Sequence, residues 1–140
     1  MGRVTTPHEG IRRTIAAYCV LCDDGRFDDW GRLFTEGTRF HVMGKTHEGR
    51  PGAQGFIEAG QPPERRGTHV VSSSIIDVTS DTSARVWSDY LFVDRAGAII
   101  NVGRYHDELV LEADGIWRFS LREIVFKGDD PELTAPPPPA

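Results

Sequence analysis

A chain of 140 residues, 39% hydrophobic and 26% charged, has enough apolar material for one buried core and one domain. Its net charge of −5 leaves no basic face for a phosphate backbone, so nucleic acid is not an expected partner. No apolar run approaches the roughly 20 residues that cross a bilayer, and the opening MGRVTTPHEG has no apolar signal core, so a cytoplasmic protein away from membranes is expected.

The first predicted element is a helix. Thr6-Pro7-His8-Glu9 supplies an N-cap, a proline at the first helical position and a glutamate to close a capping box. Ile11, Ile15, Tyr18, Cys19 and Cys22 come after it at helical spacing and make one apolar stripe, with Arg12 and Arg13 facing out. Asp23-Asp24-Gly25 ends the helix, with Gly25 as the residue after the cap. Tyr18 lies on the stripe and Asp24 just past the last turn, so both can point into whatever the helix covers.

Residues 27–34 read as a second short helix whose buried side is Phe27, Trp30, Leu33 and Phe34. Residues 39–43 read as a strand with Phe40 and Val42 on one face and Arg39, His41 and Met43 on the other. Residues 44–52 are a polar, glycine-rich turn or short hairpin. Residues 53–59 are a third helix with Phe56 and Ile57 inward. The stretch GQPPERRG, 60–67, has no apolar side chain beyond its prolines and reads as a surface loop, placed as a lid or rim beside His69.

Four long strands come next: THVVSSSIIDVT, SARVWSDYLFVD, AIINVGRYHDELVLE and GIWRFSLREIVFK. Turn residues separate them at Ser80-Asp81, Arg95-Ala96-Gly97 and Ala113-Asp114-Gly115. These connections are too short for crossover helices, so the four form an antiparallel meander. Long meanders curl, and the three helices are available to cover the concave face. The expected fold is α+β: a cone-shaped barrel with N-terminal helices packed on one curved antiparallel (mixed) sheet. The domain takes residues 1–128. Residues 129–140 are a proline-rich tail expected to be extended and dispensable. Trp87, Leu91, Val93, Trp117, Phe119 and Leu121 are too many large apolar residues for a solvated convex face, so a homodimer through that face is expected.

His69, the second residue of the first long strand, is the chemically conspicuous side chain. With a carboxylate partner it suits general acid–base work, and without one it is a strand histidine satisfied by a backbone carbonyl. His106 sits on a strand face with Val102, Arg104 and Val110, a mixture that points to a pocket position or to a polar surface. Cys19 and Cys22 sit late in the helix on its apolar side and read as small buried hydrophobes. A metal site from His69, His106 and His41 lacks any recognisable ligand spacing, so no metal and no cofactor is expected. No phosphate-cradling glycine loop and no GxSxG elbow is present.

Several segments together resemble the SnoaL-like branch of the nuclear transport factor 2-like superfamily, and within it the subgroup near scytalone dehydratase. They are YCVLCDDGRFDDWGRLF from Tyr18, GKTHEGRPGAQGFI, GTHVVSSS from Gly67 and GRYHDELVLEADGIWRF from Gly103. The resemblance implies that an aspartate after the first helix, here Asp24, supports a proton-transferring histidine, here His69. It implies a pocket position at His106, eleven residues before Trp117, where the family enzyme has an asparagine. A water-holding tyrosine of that enzyme falls on or beside Val42, and its second catalytic histidine has no counterpart. Tyr18 and Trp30 join His106 and Val42 as candidate substrate contacts.

Three readings remain open. The first is a cofactor-free lyase or isomerase acting through Asp24 and His69 on a small hydrophobic oxygenated molecule, with Tyr18 or His106 on the developing oxyanion. The second is a binding module of the same fold. The third is a structural subunit of a larger enzyme. A deep cavity with the Asp–His pair favours the first, a cavity without it the second, and a filled cone the third.

Overall fold

In the computed structural model, which describes residues 5–127, helix α1 spans Pro7–Asp23 and starts on the cap written in the sequence. The Thr6 hydroxyl accepts the Glu9 backbone N–H at 3.2 Å, and the Thr6 N–H donates to the Glu9 carboxylate at 3.4 Å. After the Asp24 C-cap, Gly25 at φ 72° turns the chain out of the helix. The apolar stripe is buried along its length, from Ile11 to Cys22. Thr14 lies on the same face, and its hydroxyl donates to the Trp117 carbonyl at 2.6 Å, which pins α1 to the sheet.

Helix α2, Phe27–Gly31, is shorter than the spacing predicts. Phe34 opens strand β1, Phe34–Val42, instead of closing the helix. Its register partner is Phe119, and the Phe119 N–H donates to the Leu33 carbonyl at 2.9 Å, so sheet pairing overrides the local helical pattern. Met43 and Gly44 both take positive φ, at 54° and 74°, the backbone of a tight two-residue hairpin turn into strand β2, Lys45–Glu48. Helix α3, Gly49–Gly60, begins four residues earlier than predicted. The loop after it contains one short 3₁₀ turn at Pro63–Arg65.

The meander forms as read: β3 Thr68–Ser80, β4 Ser83–Val93, β5 Ile99–Leu111 and β6 Trp117–Phe126. The six-stranded sheet has the order β2-β1-β6-β5-β4-β3. All neighbours are antiparallel except β1 and β6, so the sheet is mixed and the fold is α+β. Helix α1 lies across β3 and β6, and α3 lies against β1. The cone between helices and sheet is closed at its base by Tyr18, Trp30, Phe34, Phe40, Tyr105 and Phe119, all essentially inaccessible. Their rings meet edge-on or tilted, with centroids between 4.6 and 6.2 Å for the pairs that link Tyr18, Trp30, Phe34 and Phe40.

Two of the residues expected on the convex face are on the other one. Trp117 is 4% exposed and Phe119 fully buried. Glu108 pairs with Leu121 but Leu109 with Phe119, so Ser120 is an extra residue in β6. That bulge changes the parity of the strand, turning Phe119 and Trp117 inward while Leu121 stays out. No described helix is long and apolar enough to cross a membrane. The predicted proline-rich tail lies outside the described residues.

Candidate active site

The register of the meander decides which side chains can meet in the cone. Along β5 the buried residues are Gly103, Tyr105, Asp107 and Leu109, so odd positions face the helices. Opposite them Tyr105 pairs with Ser88 and Gly103 with Tyr90, putting Ser88, Tyr90 and Phe92 on the same inner face. The Tyr90 phenol passes directly over Gly103; a Cβ there would lie 2.7 Å from its hydroxyl oxygen. The absence of a side chain lets Tyr90 stack on Tyr105, with centroids 4.2 Å apart and planes 2° from parallel.

His69 sits at the mouth of the cone, at the start of β3. Its partner is Asp23, not the predicted Asp24. The Asp23 Oδ1 accepts from His69 Nδ1 at 2.6 Å, and Oδ2 accepts the His69 backbone N–H at 2.9 Å. A carboxylate can only accept, so Nδ1 carries the proton and Nε2 is left as the basic nitrogen. Both side chains are largely enclosed, at 9% exposed for His69 and 14% for Asp23. The Asp24 side chain faces solvent. The reason is helical geometry. Asp23 is four residues after Cys19 and continues the apolar stripe, whereas Asp24 is four after Val20, which is 57% exposed.

Tyr18 and Phe92 hold the imidazole from the sides, with ring centroids 6.3 and 4.6 Å from it. Tyr18 is buried, and burial pushes its phenol well above the ordinary range, so it keeps its proton and can only act as a neutral donor or acceptor. Trp30 is buried in the base of the cone with its indole N–H unpartnered among the described residues. Val42 is buried at the end of β1, beside Ile124 of β6.

His106 is not in the cone. It lies between the inward Tyr105 and Asp107, so it faces out, where its Nδ1 meets Glu123 Oε1 at 3.2 Å. It lines a shallow outer cleft with Arg85, Trp87 and Leu121. An offset counted back from Trp117 across the β5–β6 hairpin changes face with every residue added or lost, so it does not fix an inward position.

Sequence reasoning missed the group that occupies the inner position. Asp107 and Arg122 form a bidentate pair at 2.8 and 2.7 Å, both fully buried. The Arg122 guanidinium lies over Tyr105, Tyr18 and Phe119 at 3.8, 4.2 and 4.3 Å from their centroids. Burial works to lower the Arg122 pKa, but the adjacent Asp107 charge outweighs it and holds the guanidinium well above its usual value. Its Nη1 has no partner among the described residues.

One set of described residues has metal-ligand types close together: Cys22, Asp23 and His69, whose ligand atoms lie within 4.8 Å of one another. As arranged, both Asp23 oxygens already accept from His69. Burial pushes the Cys22 thiol up to about 12, so it holds its proton. The trio fits a hydrogen-bonded pair beside a buried thiol better than a prepared metal centre. The nearby Cys19 thiol is likewise raised by burial, to about 11.

A model of the SnoaL-like domain matches residues 3–123. Among solved structures, Rv3472 of Mycobacterium tuberculosis, described as of unknown function, is 26% identical. The match covers 84% of this chain and 74% of that one, with a TM-score of 0.77. A candidate scytalone dehydratase from Novosphingobium aromaticivorans is 28% identical, over 84% of this chain and 82% of that one, at TM-score 0.74. ActVI-ORFA of Streptomyces coelicolor shares the fold at TM-score 0.77 with 20% identity, over 88% and 98% of the two chains. No curated protein matches the chain.

Proposed function

Because the chain belongs to the SnoaL-like family, we propose that it is an acid–base enzyme of the lyase or isomerase type acting on a small, largely apolar, oxygenated molecule. The observation that carries this reading is the His69–Asp23 pair at the mouth of the cone. With Nδ1–H held by Asp23, Nε2 is positioned to take a proton from a carbon next to a carbonyl, leaving an enolate and an imidazolium. The Asp23 charge stabilises that imidazolium. In an isomerisation the proton returns to a different carbon. In a dehydration it goes to a departing hydroxyl, so that a C–H and a C–O bond break, a C=C bond forms and water leaves. Tyr18, kept neutral by burial, is the candidate donor to the enolate oxygen. The resemblance to a candidate scytalone dehydratase supports the dehydration branch.

The experiment is α-proton exchange of simple ketones in deuterated water, monitored by NMR. Exchange catalysed by the wild-type protein and lost in His69→Ala, with an unchanged circular dichroism spectrum, is the expected result. An equal rate in His69→Ala removes the reading.

The filled base of the cone favours a second reading, a structural subunit of a larger enzyme, because Arg122 and six aromatic rings occupy the volume a deep substrate would need. Either reading accommodates a homodimer through the convex face, where Ile75 is 56% and Val102 40% exposed beside Trp87, Leu91 and Leu121. Sedimentation at micromolar concentration tests this, and a monomer there refutes it.

A further inference from the structure

The loop from Gly60 to Gly67, between α3 and β3, is fastened to the rest of the molecule at few points. None of its residues is buried. A cleft of about 540 Å³ separates it from the β4–β5 hairpin. We infer that this loop is a hinged lid over His69, balanced between a closed and an open form, and that the open form admits molecules to the imidazole. The inference concerns access to the site of the acid–base reading, and it rests on that reading only for what the opened site then does.

His69 is enclosed on the sides the structure describes. Asp23 holds its Nδ1, and Tyr18 and Phe92 pack on the ring, which leaves the side chain 9% exposed. A molecule of substrate size therefore reaches Nε2 only if a wall moves. Tyr18 is fixed among the rings of the base, and Asp23 belongs to α1. Phe92 is the wall that meets the loop. It lines the cleft between loop and hairpin, and a Cβ on Gly67 would lie 3.1 Å from its Cζ. Swinging the loop out uncovers Phe92 and, behind it, the imidazole.

Two arginines hold the loop shut. Arg95, at the tip of the hairpin, donates to the Pro63 carbonyl at 2.9 Å. Arg66 donates to the Gln61 carbonyl at 3.1 Å, and its guanidinium lies over the Phe27 ring, 5.4 Å from the centroid. The same guanidinium fills the space where Gly25 has no side chain, at the C-terminal end of α1, where the helix dipole favours a cation. Within the loop the Arg65 N–H donates to the Pro62 carbonyl at 2.8 Å, so the 3₁₀ turn Pro63–Arg65 is compact and moves as one body. Glu64 and Arg65 are exposed on that turn with opposite charges, and both stay in water whichever way the loop lies. Gly60 has open space where a Cβ would be and serves as the hinge. Gly67, where a Cβ would run into the Val93 carbonyl, is the fixed end.

Two buried oxygens oppose closure. Gln61 Oε1 on the loop and Asn101 Oδ1 on the hairpin both line the cleft side of the joint, and neither has a partner among the described residues. Both are acceptors, so neither can satisfy the other. Each regains water when the loop swings out, so the closed form alone bears their desolvation. The arginine contacts favour the closed form and the two oxygens favour the open one. That opposition, in a loop with no buried side chain, is what a segment that opens at low free energy requires.

Carbethoxylation by diethyl pyrocarbonate at neutral pH reads access to His69 Nε2 without any turnover. The rate at His69 is followed on the full chain by peptide mass spectrometry, relative to the exposed His8. Arg95→Ala removes an exposed side chain and one fastening, and is expected to raise the relative rate about threefold. Asn101→Leu and Gln61→Leu each remove an unpaired acceptor from the closed form, and are expected to lower it about fivefold. A relative rate unchanged in all of these variants overturns the inference. So does an increase in Asn101→Leu or Gln61→Leu, which is the mark of general loosening and not of a lid. Wild-type His69 labelled as fast as His8 overturns it too, because no lid is then shut. Failure of the acid–base reading shows separately, as ketone exchange that survives His69→Ala, and leaves these labelling rates untouched.

Discussion

The mouth and the base of the cone each hold a carboxylate against a nitrogen base, and the two pairs do opposite things. At the mouth, Asp23 holds His69 at 2.6 Å with both side chains still partly reachable. At the base, Asp107 holds Arg122 at 2.7 Å with nothing exposed, beneath three aromatic rings. Imidazole gains and loses a proton near neutral pH, and guanidinium does not. Partial access plus a ring nitrogen left free to accept a proton is what the acid–base reading asks of His69. Complete enclosure plus a permanent cation gives a fixed strut that ties β5 to β6. A buried polar pair is therefore not by itself a sign of catalysis; what separates the two is access and the chemistry of the base.

The largest effect on stability should come from breaking the strut on one side. Arg122→Met leaves Asp107 buried and unpaired, which costs about 3–5 kcal/mol of unfolding free energy. The double change Arg122→Met with Asp107→Leu should recover much of that loss, because no buried charge is left. Urea unfolding of the single and double variants checks it, and a double variant no more stable than the single one breaks the comparison.

The mouth should respond the other way round. His69→Ala is expected to slow ketone α-proton exchange by about 10²–10⁴-fold. The same change removes a ring that is 9% exposed and leaves Asp23 Oδ1 without its partner, so it should also cost about 1–3 kcal/mol, less than the break in the strut. Asp23→Asn keeps the shape but loses the charge, and should slow exchange by about 10–100-fold.

A smaller effect belongs to the convex face. Asp89 accepts from Arg104 at 2.7 Å and lies 3.0 Å from the Lys127 ammonium. Chiefly the Arg104 hydrogen bond, helped by Lys127, holds its carboxyl below the usual carboxylate value. A depressed folded-state pKa means that the unfolded chain binds the proton first. The contribution is therefore present above the ordinary carboxylate range, about pH 4, and is lost as pH falls through the depressed value. Asp89→Asn should flatten the acid limb of the stability–pH curve, by under about 1 kcal/mol because the pair is partly exposed. An unchanged acid limb refutes this.

What could be read from the sequence depended on whether the signal was local. The capping box at Thr6, the stop at Gly25 and the four strands of the meander are written in neighbouring residues, and they stand where expected. Phe34 and the inward turn of Trp117 and Phe119 were not legible, because a parallel partner and one bulge decide them. Nothing in the neighbouring residues marks Asp107 and Arg122 as a pair. Only the β5–β6 register puts them opposite each other on the inner face. His69 was singled out largely by family resemblance. Its true partner was within reach of the spacing argument, since the stripe through Cys19 leads to Asp23.

The smallest expected effect gives the sharpest contrast, because it compares two adjacent aspartates of the same type. Asp24 is exposed at the C-cap of α1, and its N–H donates to the Val20 carbonyl at 3.0 Å. A negative charge there faces the negative end of the helix dipole, so it is mildly unfavourable. Asp24→Asn removes the charge without touching that backbone bond. It should leave α-proton exchange unchanged and raise stability by about 0.3–1 kcal/mol at low ionic strength, the gain shrinking in high salt. One residue earlier, the same change should slow exchange about 10–100-fold, because the carboxylate lost is the one that orients His69. If Asp24→Asn slowed exchange as much as Asp23→Asn, the working carboxylate would be the exposed one, and the geometry of the mouth would have to differ in solution from the pair described.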